Sequence, residues 1–364
     1  MSTTALDQAL QQQIDEFRTK HPESPGVSLL VETPGQLWRG ACGFSDPEQR
    51  TPMRPDDLIY IASVAKTMTA TVALRLVEEG LLDLDATLPA YLPAELLDGL
   101  HRFEGQSYDD RITVRHLLGH ASGLADSFGS PGFMDLIVAA PDRVWKPEEP
   151  VEFIKEHCPP LFPPGEGFNY SDVNYNLVGL AIEEVTGASL DDAYRRYVYE
   201  PVGMESTYRR FVEDPPRETS REAHVFYGEM DFTQWRALTG DWAGGGLNST
   251  PEDLNRFVRA QASDRIFDNR ATLETMFRWR PWRDNASYGL GVMRFDLDQD
   301  SDASRHGLGE IWGHMGASGC FMFYWPKAEA SFCGTFNQVA CEREIYPFVA
   351  SLMRLIESHG FASS

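Results

Sequence analysis

Strand-like segments concentrate near the two ends of this 364-residue chain, and that placement constrains its fold most. Near the start, Val27-Ser28-Leu29-Leu30-Val31 and Leu37-Trp38-Arg39-Gly40-Ala41-Cys42 flank Pro34-Gly35 and read as two strands around a turn. Near the end, Tyr288–Met293, Gly319–Tyr324 and Ala330–Phe336 read as three more. Residues 145–240 look mainly helical and loop-rich. Leu6, Leu10, Ile14 and Phe17 predict an amphipathic helix over about 4–20, and Ile345, Phe348, Val349, Leu352 and Ile356 another over about 344–358. This order predicts a sheet assembled from both chain ends, with a helical lobe inserted between them. The expectation is one α+β domain over residues 1–364. Its sheet lobe spans about 1–82 and 243–364, its helical lobe about 83–242, and a ligand cleft lies where they meet.

A formal net charge of −23 argues against nucleic acid and anionic membrane surfaces as partners. No apolar run reaches the 18 residues a membrane-spanning helix needs. The first residues, Met1-Ser2-Thr3-Thr4-Ala5-Leu6-Asp7, carry neither a basic nor an apolar signal region, so the expected compartment is the cytoplasm. Cys42, Cys158, Cys320, Cys333 and Cys341 are odd in number, lack metal-binding spacing, and mostly read as small buried hydrophobes.

The chemistry centres on Ile61-Ala62-Ser63-Val64-Ala65-Lys66, followed by apolar Met68, Val72, Leu76 and Val77 at helical spacing and by Gly80 as a stop signal. Residues three apart share a helix face, so the Lys66 amine can reach the Ser63 hydroxyl. A serine becomes a useful nucleophile when a neighbouring base takes its proton, and a neutral lysine can be that base. A helix N-terminus at Ser63 also favours negative charge on a reacting carbonyl. His116 and His120 are four apart, but no acidic partner or third histidine stands beside them, so packing roles are expected and no metal site is assigned. Gly244-Gly245-Gly246 lacks the flanks of a phosphate loop.

Ser63-x-x-Lys66, Tyr170-Ser171-Asp172 and His314-Met315-Gly316 stand in that order along the chain. Together they resemble the signatures of the serine β-lactamase and DD-peptidase superfamily, most closely its class C-like branch of D-aminopeptidases, D-amino-acid amidases and esterases. Gly80–Asp85, Leu117–Leu124, Gly246–Thr250 and Phe336-Asn337 carry the likeness along nearly the whole chain. The resemblance implies an antiparallel sheet flanked by the terminal helices, with Ser63 as the nucleophile that becomes acylated. Lys66 accepts or relays its proton, and Tyr170 shuttles a proton between Ser63 and the leaving group. The backbone N–H groups of Ser63 and Ala317 form the oxyanion hole, while Asp172, His314 and Gly316 contact substrate. A protonated His314 together with Lys66 could stabilise a Tyr170 phenolate, and a neutral Tyr170 paired with a neutral Lys66 serves as well. The substrate is a small ester, amide or short D-peptide, and no cofactor is needed. An acyltransferase using the same intermediate, or a non-catalytic sensor, are the other readings.

Two residues depart from that pattern. Histidine at position 314 replaces the usual lysine of β-lactamases. Asp172 replaces a commoner asparagine, cannot donate an amide hydrogen bond, and is expected to raise the Lys66 pKa. It either biases the pocket against acylamide substrates or simply pairs with Lys66.

Overall fold

Nine antiparallel strands form one sheet whose spatial order is Arg280–Arg283, Ala286–Tyr288, Met293–Asp296, Glu310–Met315, Cys320–Trp325, Ala330–Thr335, Gly26–Thr33, Gln36–Asp46 and Thr51–Pro52. The computed structural model describes residues 5–216, 221–263 and 265–359. The two ends of the chain meet where Gly26–Thr33 pairs with Ala330–Thr335, in the register Ser28 to Thr335 and Val31 to Phe332. Both faces of the sheet are covered, which is why its central strands read as continuous apolar runs. On one face Phe321, Phe323 and Phe332 pack with Leu10, Ile14 and Phe17 of the first helix, Ala5–Lys20, and with Phe348 and Leu352 of the last, Ile345–Ser358. On the other, Met322 and Cys333 belong to the same core as Met68, Val72 and Leu76 of the helix Ala65–Glu78.

That helix is enclosed on almost every side, with Ala65 to Leu74 all buried. The helices Asp172–Thr186 and Trp242–Gly245 pack against it. Local signals end these elements where the chain requires. Thr250 caps Pro251–Ala262 by accepting from the Asp253 N–H, and Gly187 closes Asp172–Thr186 in the left-handed region at φ 63°. All five cysteines are free thiols. Among the described residues no helix is long and apolar enough to cross a membrane.

One expected strand is two. Tyr288–Met293 is the tip of a hairpin joining Ala286–Tyr288 to Met293–Asp296. Its turn places Gly291 at φ +74°, where a Cβ would stand 2.4 Å from the Ala70 Cβ. Apolar alternation suggested a strand, but the residues are buried because the turn presses on the Lys66 helix. Thr67 Oγ1 donates to the Gly291 carbonyl at 2.7 Å there.

Candidate active site

Ser63 sits in a single 3-10 turn, Ala62–Val64, that runs directly into Ala65–Glu78. It therefore stands one turn ahead of the α-helix rather than in its first turn. The turn is entered through Ala62 at φ +44°, a left-handed conformation that costs a non-glycine residue about 1–2 kcal/mol. The short strand Ile59–Tyr60 holds the approach by pairing with Leu247–Ser249. From the other side the end of Glu310–Met315 comes against the same turn. A Cβ on Gly316 would lie 2.5 Å from the Ile61 carbonyl oxygen and 3.2 Å from the Ser63 nitrogen, so only glycine fits. Ala317 follows it, exposed. Ser63, Gly316 and Ala317 are thus brought together from opposite ends of the chain.

Lys66 is fully buried; its Nζ donates to Ser63 Oγ at 3.1 Å and to the Gly244 carbonyl at 2.9 Å, and forms an ion pair with Asp172 Oδ1 at 2.5 Å, outside hydrogen-bond geometry. Asp241 Oδ1 lies 3.9 Å away. Burial alone would lower the lysine pKa, but the Asp172 and Asp241 carboxyl groups outweigh it and hold it well above its ordinary value. With a carboxylate in contact and two acceptors taking its hydrogens, the amine is an ammonium. A third acid adjoins the pair, since Asp126 Oδ1 accepts from the Asp172 N–H at 2.9 Å. Burial and the neighbouring Asp172 charge push Asp126 up to about 7. Burial and the same charge hold Asp241 well above the usual carboxylate range, although Lys66 opposes the shift. One cation thus faces three carboxyl groups in a site that water barely reaches.

Tyr170 stands at the same place, with Lys66 Nζ 5.1 Å from its ring centroid. Burial drives its phenol far above the ordinary tyrosine range; Lys66 and Ser63 favour the phenolate without overcoming it, and Asp172 opposes them. Neither Ser63 nor Lys66 reaches the hydroxyl with hydrogen-bond geometry, so its oxygen has no partner among the described residues.

A family model described as Beta-lactamase matches residues 6–345, nearly the full chain. The chain belongs to the β-lactamase family. It is similar to penicillin-binding protein 4* of Bacillus subtilis (strain 168), with 28% identity over 69% of this chain and 55% of that protein. It is also similar to esterase EstB of Burkholderia gladioli, with 33% identity over 49% of this chain and 45% of that protein. The chain spans about half the length of these curated relatives. Among solved structures, the D-amino acid amidase from Ochrobactrum anthropi SV3 complexed with D-phenylalanine superposes with a TM-score of 0.82 at 26% identity. That match covers 98% of this chain and 100% of that one.

The structure corrects the expectation for His314 in this family member. Its side chain is fully buried, with Nε2 3.0 Å from the Tyr288 hydroxyl and Nδ1 2.8 Å from the Met315 carbonyl. The Met315 carbonyl takes a proton from Nδ1, and in the neutral ring Nε2 is then the acceptor facing the Tyr288 hydroxyl. Burial and the Lys66 charge push its pKa down to about 3. A protonated His314 beside a Tyr170 phenolate is therefore not the state of this site. Tyr288 covers the ring from the end of the strand Ala286–Tyr288, a position set by the hairpin turn at 288–293.

His116 and His120 both have packing roles. His116 completes the cap of Val114–Leu118 with Thr113. His120 Nδ1 accepts from the Ser171 N–H at 3.1 Å, and its ring stacks on Tyr170 with centroids 4.2 Å apart, so it positions the loop carrying Tyr170. Sequence reasoning missed Asp126 and Asp241. Asp241 stands three residues before Gly244, whose carbonyl binds Lys66. A Cβ on Gly244 or Gly245 would collide with the Asp241 carboxyl group, which gives the glycine run a reason.

Proposed function

We propose that this chain is a serine hydrolase that forms an acyl-Ser63 intermediate from a small ester or amide, with D-amino-acid amides and short D-peptides as the favoured substrates. The observation that carries the reading is Lys66 Nζ, held 3.1 Å from Ser63 Oγ by an ion pair with Asp172. In the resting site Lys66 is an ammonium and Tyr170 a phenol, so neither is a free base. As Ser63 Oγ attacks the carbonyl carbon, its proton passes to Lys66 while Lys66 gives one of its own to the Asp172 carboxylate. The Ser63 and Ala317 N–H groups receive the developing oxyanion, each such donor stabilising the transition state by about 3 kcal/mol. Tyr170 protonates the leaving group and is reprotonated from Lys66, and water then repeats the sequence in reverse to release the acid. Likeness to the D-amino acid amidase over both full chains supports an amide of a D-amino acid, and the surplus of acid around Lys66 suits a substrate ammonium.

The test is intact-mass analysis after a fluorophosphonate probe, together with a hydrolysis panel of p-nitrophenyl esters, D- and L-phenylalanine amide and nitrocefin. An adduct on Ser63 and turnover of at least one ester or amide are expected. Absence of both overturns the reading.

A further inference from the structure

Outside the Ser63 site, a histidine, a glutamate and a cysteine meet where the first and last helices of the chain pack together. His21 directly follows the helix Ala5–Lys20, and Glu23 comes two positions later. Cys341 lies in the 3-10 turn Val339–Glu344, which runs straight into the helix Ile345–Ser358. Cys341 stands 318 positions from Glu23, so spacing along the chain cannot show this cluster. The cysteines lack metal-binding spacing among themselves because the partners of Cys341 here are not cysteines.

One ligand atom from each of the three residues lies within 4.8 Å of the other two. His21 Nδ1 is 3.3 Å from Glu23 Oε1, and Cys341 Sγ is 3.6 Å from the same oxygen. A tetrahedral zinc ion holds nitrogen and oxygen at about 2.0–2.1 Å and sulfur at about 2.3 Å, which spaces its ligand atoms about 3.3–3.6 Å apart. Two edges of the ligand triangle thus already stand at zinc spacing, and the third closes with a small side-chain rotation. The imidazole is held in place on both sides. Its ring stacks on Phe17 with centroids 4.5 Å apart, and its far nitrogen, Nε2, faces Glu344 Oε2 at 4.0 Å. A carboxylate behind the non-ligating nitrogen is the usual support of a metal-bound histidine, because it keeps the proton there and leaves the other nitrogen for the ion. Gln338 fixes the Glu23 backbone by donating from Nε2 to its carbonyl at 3.0 Å. The thiol is buried, yet it touches the carboxylate of a side chain that is 40% exposed. An ion that reaches Glu23 from solvent is therefore already beside the sulfur.

We propose that His21, Glu23 and Cys341 bind one zinc ion, with water as the fourth ligand and Glu344 supporting the histidine. A thiolate, an imidazole and a carboxylate together suit a borderline-soft cation of tetrahedral habit. On binding, the Cys341 S–H bond breaks, its proton passes to solvent and the sulfur bonds to zinc. His21 binds through Nδ1 and keeps its proton on Nε2. The ion ties the end of the first helix to the start of the last, two elements that cover one face of the sheet. The ligands converge only in the folded chain, so zinc acts as a clip on the fold and takes no part in the chemistry at Ser63.

The test is titration of the full chain, stripped with a chelator and kept reduced, with cobalt(II) and then zinc, followed by absorbance and melting temperature. One equivalent of cobalt should bring up the visible bands of a tetrahedral site and a near-ultraviolet thiolate-to-cobalt band. Zinc should bleach both and raise the melting temperature. Cys341→Ser should abolish the thiolate band. Glu344→Gln should weaken zinc about tenfold, as loss of a ligand's supporting partner does, and His21→Gln, which removes a ligand, should weaken it further. His157→Gln, at an exposed histidine elsewhere, should change nothing. An unchanged rate of Ser63 labelling with a fluorophosphonate shows that the variants are folded. A parent chain without the thiolate band overturns the proposal whatever the variants do. So does a band that survives Cys341→Ser, an unchanged zinc affinity in His21→Gln, or zinc that binds without raising the melting temperature.

Discussion

Two buried charge clusters flank the segment Asp241–Gly246, and they are unbalanced in opposite ways. On the Ser63 side one ammonium pairs with Asp172 and lies 3.9 Å from Asp241, while Asp126 adjoins Asp172 through its backbone N–H. On the other side Arg209 and Arg210 each hold a single carboxylate, Asp191 and Glu222, and retain unpaired N–H groups. The first cluster relieves its imbalance with protons, because carboxyl groups can take them up, and so its charge depends on pH. Guanidinium groups do not titrate in the working range, so the second keeps its charge at every working pH. A buried group that can titrate is suited to moving protons, and one that cannot is suited to a fixed ion pair.

The largest expected effect separates chemistry from electrostatics. Ser63→Ala should abolish turnover of a small ester, by about 10⁴-fold or more if nucleophile and relay act as one unit, while both charge clusters and the fold remain. Activity above a few per cent of the parent would remove Ser63 from the role proposed. Lys66→Ala and Tyr170→Phe should each slow acylation by about 10²–10⁴-fold, and the double variant should lose much less than the product of the two. Lys66→Ala also strands three carboxyl groups without their cation. Its loss of thermal stability should be greater at pH 8 than at pH 5, where Asp126 and Asp241 can be neutral. An equal loss at both would mean the cluster does not share its charge as described.

Asp172→Asn gives a smaller and more discriminating effect. Because Asp172 Oδ1 is occupied by Lys66, kcat/KM for nitrocefin, a neutral ester and a D-amino-acid amide should fall by one common factor, about ten- to a hundredfold. A gain for nitrocefin relative to the others would show that Asp172 selects substrates directly. The smallest effect is on stability alone. Asp126 titrates near 7 in the folded chain and near the ordinary value of about 4 when unfolded. Between those values the folded state holds the extra proton, so stability falls as pH rises through that window. Melting temperatures of Asp126→Asn should show a shallower fall from pH 4 to 7 than the parent. An unchanged slope would place the shared proton elsewhere in the cluster.

Much of this architecture was legible in the chain. The apolar period of residues 4–20 and 344–358 marked the terminal helices, and the runs at 27–31, 319–324 and 330–336 marked strands of the sheet. Ser63 and Lys66 could be paired from spacing alone because three residues of helix hold them on one face. Tyr170 and Gly316 entered through motif order, which records their nearness without explaining it. The charge state of the site was not legible. Asp126 and Asp241 lie 46 and 69 positions from Asp172, and no local pattern distinguishes them from the chain's many surface acids. His314 looked free to carry a proton until the hairpin at 286–296 placed Tyr288 against it.

Local sequence thus determined most of the elements and the pairing of Ser63 with Lys66, which a single turn of chain can bring together. Protonation, the neutrality of His314 and the unpaired donors around Arg209 and Arg210 were decided by tertiary structure. Burial and Coulomb energy depend on distance through space, which separation along the chain does not report.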